Sequence, residues 1–274
     1  MIQRLDCLIG RKLARCAAVV SIACLTACAT SPLGRSQLIL FPEAQLAQMG
    51  ALAYKDMRAQ TPISKDGKAS DYVNCVAQAI IEANPELDAY QWEVTLFESE
   101  QANAFALPGG KLGVYSGMLG VAVNQHQLAA VMGHELAHVT ARHGNERVST
   151  NFATQTGLQV AAIAAGAGSS PQKAQLFGLL GLGAQVGVML PFGRAQETES
   201  DLLGLDYMAK AGFDPSEASQ LWRNMSAQGG ARQPTFLSTH PAPEMRIRKL
   251  DERAPAAQAL RREARAAGRS PVCD

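Results

Sequence analysis

Aromatic residues and net charge are both scarce in this chain. Phe, Trp and Tyr make up 5% of its 274 residues, whereas Ala and Gly are abundant, a composition that suits closely packed helices. Lys and Arg number 25 against 24 Asp and Glu, which gives a formal net charge of +1. So balanced a charge provides no argument for nucleic-acid binding. A chain of this length forms one large domain or two small ones and can bury a substantial core.

The N-terminal apolar stretch is too short to span a bilayer permanently. Cys16–Ala27 has 12 residues, whereas a spanning helix needs about 20. With the basic residues before it, this stretch predicts a secretory signal over residues 1–27. LTAC at residues 25–28 resembles the lipobox of bacterial lipoproteins and implies acylation of Cys28. Ala29 is not the aspartate that commonly retains lipoproteins in the inner membrane, so the resemblance implies a lipid anchor in the inner leaflet of the outer membrane, facing the periplasm. An ordinary cleaved signal is the alternative.

Two cysteines remain available for pairing after such processing. Three of the six cysteines lie in residues 1–27, and Cys28 is expected to be acylated. Cys75 and Cys273 are then left in an oxidising compartment, which permits a disulfide between them. Two unpaired thiols are the alternative.

The remaining chain predicts an α+β, predominantly helical fold with one small sheet. Residues 28–42 contain Pro and Gly and are predicted to be a loop-like tether. Residues 43–253 are predicted to form the functional domain, and residues 254–274 a C-terminal tail that frays and is disordered from Gly268. Alternation of apolar and polar residues predicts strands in segments 91–98, 103–107 and 111–115. Helices are predicted at 43–59, 70–83, 125–142, 145–168, 194–211, 215–228 and 242–253.

Residues 153–192 are rich in Ala, Gly and other apolar residues. Glycines and alanines interrupt the run, and Gln185 lies within it, so a membrane-spanning helix fits poorly. A buried helical hairpin is one interpretation of this segment. A helical pair that contacts a membrane or controls substrate entry is the other.

The helix predicted over Gln125–Arg142 carries the motif HELAH at residues 134–138. His134 and His138 are four residues apart, so both imidazoles share one helix face and can reach a single metal ion. Glu135 is placed to act as general base on the attacking water rather than as a ligand. Chance occurrence on a surface helix with two solvated histidines is the alternative.

A third metal ligand is expected on a downstream helix, because catalytic zinc takes three protein ligands and keeps one position open. Glu197 and Asp201 share one face there, while Glu199 points about 200° away. We predict Glu197 as the ligand, since its longer side chain has more reach, and Asp201 as the acceptor of an N–H from a ligand histidine. An ordinary acidic helix face is the alternative.

These motifs in this order resemble the HtpX-like and CAAX-prenyl-protease zinc metallopeptidases, in particular their periplasmic lipoprotein branch. The resemblance covers roughly residues 42–250, with HELAHVTARHGNERVS at 134–149, the Glu197/Asp201 pair, AGFDP at 211–215 and THP at 239–241. It implies a zincin-like metalloprotease domain with one Zn²⁺ per chain. It also implies that the stretch 103–106, with Asn103, Ala104 and Phe105, is an edge strand that pairs with substrate, although a purely structural hairpin is the alternative.

The same resemblance implies that His240 lies near the metal, with Arg246 as its charged neighbour in the catalytic site. His240 is expected either to donate to the tetrahedral oxyanion or to cap the zinc and hold the enzyme idle. A histidine before proline that merely satisfies a loop is the alternative. His126 and His143 are interpreted as structural, because five residues separate His143 from His138 and turn it off the ligand face.

Together these observations predict a zinc-dependent endopeptidase of the bacterial cell envelope. The resemblance and the expected location imply misfolded or unassembled envelope proteins as substrates. One alternative is a chaperone-like outer-membrane assembly factor whose peptidase site is normally capped by His240. Another is a noncatalytic structural lipoprotein that holds zinc.

Overall fold

The computed structural model describes residues 28–164, 193–227, 235–240 and 244–273. Its fold is α+β and predominantly helical, as predicted. Its helices are α1 (Glu43–Gln60), α2 (Gly67–Glu82), α3 (Gln125–Thr140), α4 (His143–Ala164), α5 (Arg194–Lys210), α6 (Ser216–Ala227), α7 (Phe236–Thr239) and α8 (Glu244–Ala266). Its strands are β1 (Cys28–Thr30), β2 (Ser36–Leu38), β3 (Glu93–Phe97), β4 (Ala104–Leu107) and β5 (Lys111–Tyr115). Within these residues no helix combines the length and apolar character needed to cross a membrane.

Helix α3 lies at the centre of the core. Asn124 caps it, because its side chain accepts hydrogen bonds from the backbone N–H groups of His126 and Gln127. Every residue from Gln127 to Val139 is buried. A helix that is enclosed on all sides must hold its polar side chains within the protein, so each of them requires a partner or a ligand.

Two glycines allow α3 and α5 to approach closely. A Cβ atom built on Gly133 would lie 2.6 Å from the carbonyl oxygen of Gly204, and one built on Gly204 would lie 2.6 Å from the backbone N of His134. Side chains cannot be accommodated at such distances. The crossing occurs directly beside His134. It brings the start of α5, which carries Glu197, close to His134 and His138 of α3.

The sheet has the strand order β3-β5-β4. β3 and β5 are parallel, whereas β4 pairs antiparallel with β5 and forms one edge. β4 and β5 form a hairpin, and Gly109 and Gly110 in its turn have φ of +89° and +90°, which suits glycine. β4 packs against α3, so the open edge of the sheet lies beside the HELAH motif.

The prediction of a loop-like tether is wrong over residues 28–38. β1 and β2 form an antiparallel hairpin, with Ala29 opposite Gln37, and β2 packs against α4. Gln37 is buried, and its Nε2 donates to the carbonyl oxygen of Ala141 at 2.7 Å. Strands of three residues are too short to show a readable alternation, which is why the sequence pattern indicated a loop.

The prediction of a frayed C-terminal tail is also wrong. Helix α8 continues past Pro255 to Ala266, and Ala257 and Ala264 are fully buried. Cys273 is joined to Cys75 of α2 by a disulfide, with 5.8 Å between the Cα atoms. The C-terminal segment is therefore fixed to the domain. Residues 165–192, which are most of the apolar segment 153–192, lie outside the described residues.

Candidate metal and catalytic site

Four buried side chains converge at one point between α3, α5 and the residue that follows α7. They are His134, His138, Glu197 and His240, and one potential ligand atom of each lies within 4.8 Å of all the others. Their exposed fractions are 2–3%, so these polar atoms are enclosed by protein. The structure therefore brings together the three residues predicted as ligands, and it adds His240 to them.

The spacing of these atoms suits a single tetrahedral ion. His134 Nε2 lies 3.0 Å from His138 Nε2 and 3.2 Å from His240 Nδ1. Glu197 Oε1 lies 3.0 Å from His240 Nδ1 and 3.4 Å from His138 Nε2. Ligands 2.0–2.1 Å from a tetrahedral zinc are separated by about 3.3 Å, so the donor set and its spacing fit this metal. His134, His138 and Glu197 match the three protein ligands of a catalytic zinc site. His240 Nδ1 lies close to where a fourth ligand would bind.

Glu135 lies beside this cluster without belonging to it. Its Oε2 accepts a hydrogen bond from the backbone N–H of Ala106 in β4 at 3.0 Å. Its Oε1 is buried and accepts no hydrogen bond from the described residues, although His240 Nε2 lies 3.4 Å away. One carboxylate oxygen is thus fixed to the sheet edge, while the other faces the cluster, the arrangement expected of a general base.

Asp201 and Arg246 form a buried pair behind His134. Asp201 Oδ1 lies 3.0 Å from His134 Nδ1, as predicted for a carboxylate that accepts the N–H of a ligand histidine. Arg246 donates from Nε and Nη2 to both oxygens of Asp201, and its Nη1 lies 2.7 Å from Glu197 Oε2. The guanidinium also lies 3.9 Å from the ring centroid of Trp222.

Arg246 is enclosed by the residues of the site. The side chain is 1% exposed, and its Nη1 donates to the backbone carbonyl of His240 at 3.3 Å. Arg246 thus contacts carboxylates of both Asp201 and Glu197 in α5.

His138 has a different partner. Its Nδ1 lies 3.0 Å from His143 Nδ1, and His143 Nε2 lies 3.1 Å from Glu199 Oε2. Both partners are buried. Sequence reasoning missed this path, because helical geometry correctly turned His143 and Glu199 away from the ligand face, and it did not show that the two residues meet behind it.

Burial and charge together determine the protonation of the site. Burial raises the pKa of Glu135 and lowers that of His138 well below its usual range. Burial also opposes the charge of His134, but hydrogen bonds to Asp201 and Glu197 outweigh it and raise the His134 pKa to about 9. The pKa of Glu197 is held far below its usual range against burial by the surrounding histidines. The site thus favours an anionic Glu197 and a neutral His138, the forms that bind a metal ion, whereas His134 must release a proton when it binds one.

The open edge of β4 differs from the predicted substrate strand in one respect. Tyr115 N–H donates to the Asn103 carbonyl, so Asn103 faces β5, and alternation places the backbone groups of Phe105 on that side too. The open edge is formed instead by Ala104 and Ala106. Within the predicted stretch 103–106, Ala104 and Ala106 therefore present their backbone groups outward, whereas Asn103 and Phe105 do not.

An apolar cavity opens next to the cluster. Its lining includes His138, the residues 106–108 at the end of β4, and side chains of α1 and α4 such as Leu46, Met49 and Val148. Arg147, which also lines it, is buried, and burial lowers its pKa to about 10. The cavity therefore extends from the cluster along the C-terminal end of β4.

Comparison with known proteins identifies similar sequences. Residues 68–254 match peptidase family M48. The chain is 38% identical over 192 residues to mitochondrial metalloendopeptidase OMA1 of Schizosaccharomyces pombe, which covers 69% of this chain and 54% of that protein. It is 31% identical over 240 residues to mitochondrial metalloendopeptidase OMA1 of Danio rerio, with coverages of 83% and 50%.

A bacterial relative also matches. The chain is 30% identical over 217 residues to the beta-barrel assembly-enhancing protease of Escherichia coli K12, with 77% of this chain and 44% of that protein covered. The chain thus spans about half the length of the curated relatives it matches.

Proposed function

The chain belongs to peptidase family M48, and on that premise we propose that it is a zinc metalloendopeptidase. The observation that carries this proposal is the buried cluster of His134, His138 and Glu197 beside the carboxylate of Glu135. The family is zinc-dependent, and the donor set and spacing of the cluster fit one zinc ion per chain.

The residues of the site divide the chemistry between them. Bound zinc supplies a Lewis acid that polarises the scissile carbonyl and promotes attack by water. Glu135 holds the attacking water through Oε1, takes its proton and delivers it to the leaving amine. The burial that raises the Glu135 pKa suits a group that must both accept and release a proton near neutral pH. Asp201 accepts the Nδ1–H of His134 and so fixes the lone pair on Nε2.

Substrate is proposed to bind as an added strand at β4. An extended peptide can pair with the outward backbone groups of Ala104 and with the carbonyl of Ala106, whose N–H is bound by Glu135, and this would bring the peptide alongside Glu135. The adjacent apolar cavity would then receive a side chain next to the scissile bond. Exposed backbone and exposed apolar side chains are features of unfolded proteins, so this geometry favours them as substrates.

A metal-dependence experiment tests the activity. We expect the purified protein to hold one zinc ion per chain by elemental analysis and to cleave casein. A chelator should abolish cleavage, and added zinc should restore it. His134→Gln should lose zinc, whereas His126→Gln, which alters a histidine of the same helix outside the cluster, should keep it. Zinc-loaded protein that leaves casein intact would contradict the proposal.

We propose a lipid-anchored location in the periplasm, at the inner leaflet of the outer membrane. The signal over residues 1–27 with Cys28 supports the anchor, and the bond between Cys75 and Cys273 fits an oxidising compartment. Labelling with a palmitate analogue tests this, with loss expected for Cys28→Ser and retention for Cys24→Ser. Label in the Cys28→Ser protein would contradict the assignment.

Unassembled envelope proteins are the proposed physiological substrates. One relative carries a name that refers to assembly of β-barrels, and the proposed location gives this chain access to proteins of that kind. Quantitative comparison of envelope proteins in a deletion strain complemented with wild type or Glu135→Gln should show substrates that accumulate only with the variant.

A second candidate function is a chaperone-like assembly factor with a capped peptidase site. His240 Nδ1 lies within the ligand cluster, and Phe236 N–H donates to the Ala102 carbonyl at 3.0 Å, beside the proposed peptide-binding edge. These contacts of Phe236 and His240 support a cap that covers the metal site and the adjoining end of β4. If this segment is a cap, His240→Ala should retain zinc and raise casein cleavage. A fall in kcat instead would assign His240 to the stabilisation of the oxyanion.

A further inference from the structure

The N-terminal hairpin reaches the metal site through Glu199. Arg35, directly before β2, donates from Nε to Glu199 Oε2 at 3.1 Å, and the backbone N–H of Leu33 donates to Glu199 Oε1 at 3.2 Å. The other guanidinium nitrogens of Arg35 bind both oxygens of Glu146 at 2.5 and 2.6 Å. Both oxygens of Glu199 are thus held by residues that come shortly after Cys28 in the chain.

Glu199 in turn fixes the direction of hydrogen bonding toward His138. When His138 binds a metal through Nε2, its proton lies on Nδ1, and it donates to His143 Nδ1 at 3.0 Å. His143 must then carry its own proton on Nε2, which donates to Glu199 Oε2 at 3.1 Å. The carboxylate therefore selects the tautomer of His143, and this tautomer selects that of His138.

The position of Glu199 depends on its cationic partner. Its side chain is 4% exposed, whereas that of Arg35 is 26% exposed, so the arginine brings a charge from the surface to an almost enclosed carboxylate. An enclosed carboxylate without a paired charge is unfavourable and turns toward water or other donors. Arg35 binds Glu146 with two nitrogens and Glu199 with the third, which holds its planar group in one orientation.

We propose that Arg35 is a positioning residue of the metal site, which acts through Glu199 and His143 to orient the ligand His138. This inference rests on the metal site of the proposed function. It gives the N-terminal hairpin a role in metal affinity in addition to connecting the domain to its expected anchor.

Metal affinity tests the proposal directly, by competition with a fluorescent zinc chelator. Arg35→Ala should lower zinc affinity by up to about 10-fold, the low end of the effect usual for direct partners of ligand histidines, because it acts through Glu199 and His143. Arg35→Lys keeps the positive charge but lacks the planar guanidinium that binds Glu146 and Glu199 together. It should lower zinc affinity less than Arg35→Ala does. Arg253→Ala is the matched control, because it removes an arginine that binds both oxygens of Asp206 on the same helix as Glu199. Its affinity should equal that of the wild type.

A double-variant comparison separates positioning from a general loss of structure. Arg35→Ala and Glu199→Ala should not add, because both act on the same path, so the double variant should bind zinc as weakly as Glu199→Ala alone. At saturating zinc, KM for a peptide substrate should stay unchanged in Arg35→Ala. Wild-type zinc affinity in folded Arg35→Ala, or losses that add in the double variant, would overturn the proposal. Absence of zinc binding by the wild type would instead refute the proposed function.

Discussion

The two histidines of the HELAH motif depend on different neighbours. His134 has an anionic partner in Asp201, which Arg246 holds with two hydrogen bonds. His138 has a neutral partner in His143, and its carboxylate lies one step further away. The direct carboxylate makes His134 the more basic ligand, which agrees with the opposite directions of the two pKa shifts. Substitutions of the residues that contact His134 and of those that contact His138 should therefore change zinc affinity to different extents.

Removal of Arg246 should cost more stability than the removal of any surface arginine. Arg246→Ala would leave the buried carboxylates of Asp201 and Glu197 without their guanidinium partner, a loss of about 3–5 kcal/mol. Arg223→Ala, which breaks an ion pair whose side chains are both 46% exposed, should cost about 0–1 kcal/mol. Urea denaturation of chelated protein measures both. Equal losses in the two variants would contradict this prediction.

At the scale of elements, the close crossing of α3 and α5 determines where the metal ligands meet. Gly204→Ala places a methyl group 2.6 Å from backbone atoms of α3, so the helices must separate. We expect a loss of about 1–3 kcal/mol in unfolding free energy, together with weaker zinc binding.

Gly157→Ala provides the matched control for this crossing. Among the described residues, its added Cβ meets nothing within 4 Å, so the substitution should stabilise α4 by up to about 1 kcal/mol without a change in zinc affinity. Thermal unfolding and chelator competition distinguish the two variants. Unchanged zinc binding in Gly204→Ala would show that the crossing does not control the site.

The start of α6 supplies a pH-dependent contribution to stability away from the metal site. Burial opposes ionisation of Asp214, but hydrogen bonds from Ser216 and Gln258 and the charge of Arg261 lower its pKa to about 2, from an ordinary value of 3.8. A lowered folded-state pKa gives stability that is present above the unfolded value and is lost as pH falls through the folded value. The contribution should therefore be complete above about pH 4 and disappear toward pH 2.

Asp214→Asn tests this sign, because asparagine keeps the capacity to cap the helix while losing the charge. The difference in unfolding free energy between wild type and variant should shrink as pH is lowered from 5 to about 2. A difference that is constant over this range would contradict the assignment.

Sequence patterns predicted the faces of single helices well and contacts between elements poorly. The i, i+4 spacing placed His134 with His138, and Glu197 with Asp201, and the structure brings both pairs to one site. Helical periodicity does not show what lies behind a face, so the path through His143 and Glu199 was missed. The hydrogen bond from the N–H of Ala106 to Glu135 was also not predicted. It depends on the register of β4, which is determined by strand pairing that the sequence does not display.

At the scale of the whole molecule, a covalent link joins two distant parts of the chain. Cys75 and Cys273 are separated by 198 residues, and their bond fixes the segment after α8 to α2. Cross-linking distant residues restricts the unfolded chain, so the variant with Cys75→Ser and Cys273→Ser should lose about 2–4 kcal/mol of unfolding free energy. Chemical denaturation measures this loss, and reductant should destabilise only the wild type. A wild-type protein with the same unfolding free energy in the presence and absence of reductant would contradict this prediction.

Domain ends were the weakest part of the predicted organisation. The central helices and strands β4 and β5 were predicted from periodicity, whereas the β1–β2 hairpin and the C-terminal half of α8 were assigned to a tether and a tail. Both segments owe their order to distant partners, namely Glu146 and Glu199 for the hairpin and Cys75 for the C-terminus. Such long-range contacts leave no local pattern in composition or spacing.

The central claim is that Glu135 moves the proton while His134, His138 and Glu197 hold the zinc. The most direct test measures zinc content and casein cleavage together in wild type and Glu135→Gln. Glutamine keeps the size of the side chain but cannot accept the proton, so the variant should contain one zinc ion per chain and cleave casein at least 100-fold more slowly, roughly the contribution of general base catalysis. Cleavage at the wild-type rate by zinc-loaded Glu135→Gln would contradict the account.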